Sequence, residues 1–251
     1  MADTRSSKLP LIIGGLVVLV AVVVGAFLWL TRDDAPDRLA ITDDTTTTLA
    51  RGDTDGGSTT ATTNGGPIDA AALDGTWTVT AGTGDQATVA GYRVEEVFAA
   101  GARRSEAAGR TKDVTGTVTV EGGRVTTAEF EVDTTTLQSD ESRRDNRIRT
   151  DGLQTDTFPT ATFKLRDPLE LPALEAGKVS EVEAMGDLTL HGVTKLTTVK
   201  LQVKASGDQF VVAGQAPVVM ADFDIDPPSV PGFVEVDDHG SFEFIVNLTR
   251  S

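Results

Sequence analysis

The sequence predicts an all-β, antiparallel domain, and three observations carry that expectation. From Leu73 onward, apolar residues recur at every second position, the period of a strand that turns one face to a core and the other to water. Breaks such as Glu121-Gly122-Gly123, Ser206-Gly207-Asp208 and Pro227-Pro228 through Pro231-Gly232 separate the runs, as turn chemistry requires. Helical spacing is almost absent. About eight strands with little helix imply a sandwich or a closed barrel, and periodicity alone does not choose between them.

Three segments precede the strands. Residues 1–10 carry Arg5 and Lys8, and residues 11–30 contain no charge. At ~1.5 Å rise per residue such a stretch spans about 30 Å, the thickness of a bilayer's hydrocarbon core. The basic flank predicts an N-terminus inside the cytoplasmic membrane, a single transmembrane helix, and the folded domain outside. No small-residue cleavage site follows Leu30, so the span reads as an anchor that is retained. Residues 31–72 are rich in Thr, Asp and Gly, and read as a disordered linker because such composition buries too little to offset its ordering entropy. The barrel or sandwich is expected over 73–251.

The strands follow in order. Trp77 and Val79 alternate with threonines, Tyr92 and Val94 with Arg93 and Glu95, and Val118 and Val120 with Thr117 and Thr119. Ala128-Phe130-Val132, Ala161-Phe163-Leu165, Leu188-Leu190, Val199-Leu201-Val203 and Phe242-Phe244-Val246-Leu248 repeat the pattern. Ser139 to Leu153 is the one helical candidate, capped by Ser139 or Asp140, with Glu141 in its first turn. Arg143, Arg144, Arg147 and Arg149 make it basic.

Composition excludes several function classes. The chain has 251 residues, no cysteine and a net charge of −16. Thiol chemistry and disulfides are therefore absent, and the domain must stand on its hydrophobic core. From Pro67 on, 30 acidic residues oppose 17 basic ones, a balance that repels a phosphate backbone and argues against nucleic-acid binding. His191 and His239 are the only imidazoles. Neither sits in a zinc-type motif, and no nucleophile elbow or phosphate loop is present, so no enzyme activity, metal or cofactor is expected. His239, after Asp237-Asp238, reads as a solvated turn residue.

Two tracts are distinctive: Gly186-Asp187-Leu188-Thr189-Leu190-His191-Gly192-Val193-Thr194-Lys195, and Arg143-Arg144-Asp145 followed by Leu153-Gln154-Thr155-Asp156-Thr157-Phe158-Pro159-Thr160-Ala161-Thr162-Phe163. In this order the pair resembles the YceI-like, polyisoprenoid-binding family over the whole folded part. The resemblance implies a lipocalin-like barrel rather than a sandwich, with a long amphiphile, a polyisoprenoid or quinone-like lipid, held in a central pore. It also allows a homodimer. An eight-stranded interior is either filled by side chains or open to one small ligand. Inward residues thus have two readings, packed core or ligand wall; the resemblance moves Tyr92, Val94, Phe98, Phe130, Val132, Phe163, Leu165, Leu188 and Leu190 toward the wall. Arg144 and His191 are the candidate headgroup contacts. Arg144 has a second reading as an ion pair, with Asp145 tying it to a neighbouring loop, and His191 as a residue that fixes a strand end. One departure stands out: many members open the second strand with His-Ser, where this chain has Gly91-Tyr92-Arg93-Val94. The competing reading of the whole chain is an envelope or stress interaction domain with a side-chain-filled barrel and no ligand.

Overall fold

The computed structural model describes residues 35–41, 66–98 and 103–251. The expected span 11–30 and the central part of the expected linker lie outside them. Among the described residues no helix is long and apolar enough to cross a membrane.

Each alternating run forms a strand. In chain order they are β1 Gly75–Thr80, β2 Val89–Phe98, β3 Arg103–Thr111, β4 Val114–Glu121, β5 Arg124–Asp133, β6 Thr160–Leu165, β7 Leu169–Glu170, β8 Val179–Leu190, β9 Val193–Ser206, β10 Gln209–Val219 and β11 Val234–Arg250. The neighbours run β1-β4-β5-β6-β8-β9-β10-β11. Pairing of β1 with β11, from Trp77 opposite Arg250 to Thr80 opposite Asn247, closes an eight-stranded antiparallel barrel. Along the edge away from β10, the 17 residues of β11 serve two partners. Its last turn of ladder holds β1, and its earlier part, Val234 to Ile245, holds β2. Next, β3 pairs with β2 and touches Gln138 through mutual backbone bonds at Arg110 of 2.8 and 3.0 Å.

Turn chemistry sets the register. His191 and Gly192 connect β8 to β9 with φ of 50° and 75°, the left-handed pair that a two-residue hairpin demands. Gly122 and Gly123 do the same between β4 and β5 at 60° and 77°. At one end of the barrel Trp77 is wholly buried. Its Nε1 donates to the Leu73 carbonyl at 3.0 Å, and its ring meets Phe210 edge-on with centroids 4.5 Å apart. The Arg250 guanidinium lies 4.6 Å above the same ring.

Two expectations change here. The helix is shorter than Ser139–Leu153: α1 spans Ser142–Arg147, and a wider turn follows in which the Leu153 amide reaches the Ile148 carbonyl at 2.7 Å. Its cap is Glu141, which accepts from the Arg143 amide at 3.1 Å. Ser139 is drawn away instead by Asp145, which accepts from its amide at 2.9 Å and its hydroxyl at 2.6 Å.

The second change concerns residues 35–41, part of the stretch read as a flexible linker, which belong to the same unit as the barrel. Ile41 is buried with Ala213 and Ile245 on the outer face, and its amide donates to Gln202 Oε1 at 3.0 Å. The Pro36 carbonyl accepts from Arg93 Nη2 at 2.6 Å, and the Asp37 carbonyl accepts from Arg110. A polar-looking segment is ordered because two arginines and one isoleucine-sized apolar patch offer it partners.

Candidate functional site

Where the strands line the lumen their inward rows are largely apolar, yet those rows do not fill the barrel. Two adjoining cavities of about 110 and 80 Å³ remain. Both are lined by apolar atoms only, and Val132 and Phe242 border both. A dry, apolar space of this kind is empty unless a hydrocarbon enters it. The side chains therefore leave apolar space within the barrel.

The reason lies in how the aromatic rings are seated. Phe130 faces Gly116 across β5 and β4, Phe244 faces Gly214 across β11 and β10, and Tyr92 faces Gly109 across β2 and β3. Phe163 leans over Gly186 on the neighbouring β8. A Cβ at these glycines would meet the ring at 2.3–2.5 Å. The missing side chains let four large rings lie against the sheet instead of projecting into the lumen, a close approach that only glycine permits.

The expected wall residues divide between the cavities. Phe130, Val132, Phe163, Leu165 and Leu188 line the larger, and Tyr92, Val94, Val132 and Leu190 the smaller. Phe98 lines neither. It keeps the inward parity of β2, but the strand has by then run past the end of the cavity. Its ring sits edge-on to the exposed Phe233, centroids 6.4 Å apart, with the Arg103 guanidinium 5.4 Å over it. Inward residues not anticipated as wall include Trp77, Phe210, Val212, Ala216, Phe242 and Phe244. The alternation of 242–248 did signal the last two; β10 passed unnoticed because Gly214 and Pro217 interrupt its pattern.

Arg144 stands at the α1 end of the barrel, but its partner is not a neighbouring loop tied by Asp145. Its Nε and Nη2 donate to the two carboxylate oxygens of Glu96 at 2.8 and 2.9 Å, a fork-to-fork pair. Its Nη1 reaches Ser139 Oγ at 3.3 Å and the Asp140 carboxylate. Burial works to lower its pKa, but the bonds to Glu96 hold it above the ordinary arginine value. His191 is a hairpin residue with Nδ1 3.2 Å from the Phe223 carbonyl oxygen and its ring 4.4 Å from that of Phe158. It lines neither cavity, and its Nε2 is buried without a partner. Burial also raises the Tyr92 hydroxyl pKa well above the usual phenol range. His239 lies exposed in the bulge between Val236 and Gly240, hydrogen-bonded by Asp238.

A closed eight-stranded barrel with an open apolar lumen is thus in place, with the two distinctive tracts at one end of it. The YceI-like domain family matches residues 73–248. The chain belongs to that family. This YceI-like barrel is 31% identical over 115 residues to a UPF0312 protein of Vibrio parahaemolyticus and 33% identical over 122 residues to one of Vibrio vulnificus. In each case the match takes in 43% of this chain and 58% of the relative's length. Among solved structures it is similar in fold to a polyisoprenoid binding domain from Saccharophagus degradans. The TM-score is 0.54 at 16% identity, over 70% of this chain and 98% of that one.

Proposed function

We propose that this protein binds a long-chain amphiphile, a polyisoprenoid or a quinone-like lipid, in the lumen of its barrel. The observation that carries the reading is the pair of adjoining cavities with purely apolar walls inside a closed ring of strands. Binding is passive: each methylene moved from water into such a space contributes ~0.8 kcal/mol before the costs of ordering the chain. The polyisoprenoid-binding relative of similar fold supports the same ligand class.

We further propose that the domain acts outside the cytoplasmic membrane, held there by the uncharged span 11–30, with Arg5 and Lys8 on the inner side. Among the described residues, the only hydroxyl-bearing ones lining the two cavities are Tyr92, Thr134 and Ser241, all in the smaller one, and the reading is one of carriage, storage or sensing.

The test is organic extraction of the full chain, purified in mild detergent after expression in a bacterial host, followed by mass spectrometry. A co-purifying isoprenoid at near-stoichiometric yield is expected. A chain that carries no lipid and takes up none when offered polyprenols and quinones would overturn the reading. Selective labelling of the folded domain by a membrane-impermeant reagent on intact cells tests its placement.

A further inference from the structure

Building on the proposed lipid-binding role, we infer that the barrel selects an uncharged long-chain lipid and rejects the phosphorylated form of the same chain. The inward row of β2 reads Tyr92, Val94, Glu96 from the smaller cavity outward. The wall therefore changes from hydrocarbon to a carboxylate where the cavity stops. Glu96 is nearly buried, at 8% side-chain exposure.

The Arg144 guanidinium, the cation paired with Glu96, is already in use. Glu96 takes both arms of the Arg144 fork, and Ser139 and Asp140 take the remaining amino group. Asp145 adds a third carboxylate, held in place by Ser139. The Arg144 guanidinium is thus engaged by the Glu96 and Asp140 carboxylates, with Asp145 held beside them through Ser139. His191 offers no substitute, since its Nδ1 is engaged with the Phe223 carbonyl and it faces neither cavity. No charged residue lines either cavity.

A phosphate arriving at this end meets a carboxylate before it meets a free donor. It must either displace Glu96 from a bidentate bond or lie unpaired beside three like charges, and both are costly. A hydroxyl or a bare hydrocarbon end carries no such penalty. The closed Glu96–Arg144 pair therefore acts as a charge filter at the end of the lumen, and the apolar walls do the holding.

The experiment compares a polyprenol with its monophosphate of equal chain length, each displacing an uncharged fluorescent polyene alcohol from the full chain in detergent. The alcohol is expected to bind at least about tenfold tighter. Glu96→Gln, which removes the carboxylate charge and frees Arg144, should narrow the gap to roughly threefold or less while leaving alcohol binding unchanged. A phosphate that binds the unaltered protein as well as the alcohol overturns the inference, as does a gap that Glu96→Gln leaves intact. If Glu96→Gln does not fold, the comparison on the unaltered protein decides alone, with Asp140→Asn expected to shift it the same way. A chain that displaces the probe with neither lipid overturns the lipid-binding reading itself, and the filter with it.

Discussion

Arg93 and Glu243 meet on the outer face of the barrel with 3% and 1% of their surface exposed, joined by bonds of 3.2 and 3.3 Å. Neither sits directly opposite the other; Glu243 faces Gly91, where a Cβ would fall 2.0 Å from the Gly109 carbonyl oxygen and 2.9 Å from Arg110 Cα, so the bare backbone there lets β3 and its Arg110 come close. Arg110 joins at 2.8 Å, and Glu106 accepts from Arg93 at 3.1 Å.

Such a network stabilises only while complete. Glu243→Gln leaves two guanidinium groups facing an uncharged amide, and stability should fall by about 3–5 kcal/mol. Replacing Arg93 and Glu243 together by apolar residues of similar volume should recover much of that loss. Urea unfolding followed by circular dichroism gives both numbers, and a charge-removing single change without effect would show the pair to be idle.

The strap at 35–41 should behave as part of the domain. Ile41→Asp places a charge among Ala213, Ile245, Leu39 and Val211, and is expected to cost about 1–3 kcal/mol. Hydrogen exchange reads the same event directly: the Ile41 amide, bonded to Gln202, should be protected in the parent and exchange freely in the variant.

The glycines beneath the aromatic rings should matter to the lumen more than to the fold. At Gly214 an added Cβ falls 2.5 Å from Phe244 Cζ and 2.8 Å from Leu201 Cδ2. Gly214→Ala should swing Phe244 into the larger cavity and weaken lipid uptake by about tenfold, for a stability cost of about 1–3 kcal/mol. Equilibrium lipid binding measured beside thermal unfolding separates the two effects.

Trp77 borders the larger cavity from the far end. In a Trp29→Phe background its emission should be blue-shifted, as for an indole out of water. A bound polyene lipid should quench it, whereas a lipid confined to the smaller cavity should not.

The His239 imidazole should titrate above the ordinary histidine range, because Asp238, and more weakly Asp237, favour its charged form. Its folded-state pKa is raised, so any stabilisation it provides is complete below the unfolded value and is lost as pH rises through the folded one. The ring is exposed and the effect on stability should be slight. Ring-proton shifts by NMR report the midpoint, and Asp238→Asn should bring it down.

Most of the barrel was legible from alternation, because a two-sided strand must write its burial into every second residue. Strands that bury little with large side chains escaped: β3 uses Ala107 and Gly109 on its inner row, and β10 breaks its pattern at Gly214. The wall was legible from parity, and Phe98 shows the limit of that logic, since parity says which way a residue points but not where the lumen ends. Arg144 was legible as an ion pair or a headgroup contact, but its partner was not, because Glu96 lies 48 residues away. The docked strap was invisible for a related reason. Its partners are two arginines and a glutamine far along the chain, and a threonine- and aspartate-rich composition says nothing about what waits for it.

The double use of β11 has a consequence for how the molecule is made. The seam that closes the ring, to β1, and the attachment of the β2–β3 hairpin both hang on the strand that ends at Arg250. Leaving the ribosome, the first strand waits more than 160 residues for its partner at Trp77–Arg250, a long-range pairing of the slow-forming kind. Until that strand emerges, the β2–β3 hairpin and the sheet from β1 through β4, β5, β6, β8 and β9 to β10 share no strand pairing, and the sheet keeps β1 and β10 as unpaired edges. Closure is then a single late event, and removing a few residues from the β11 end should unfasten the cylinder on one side rather than merely fray it.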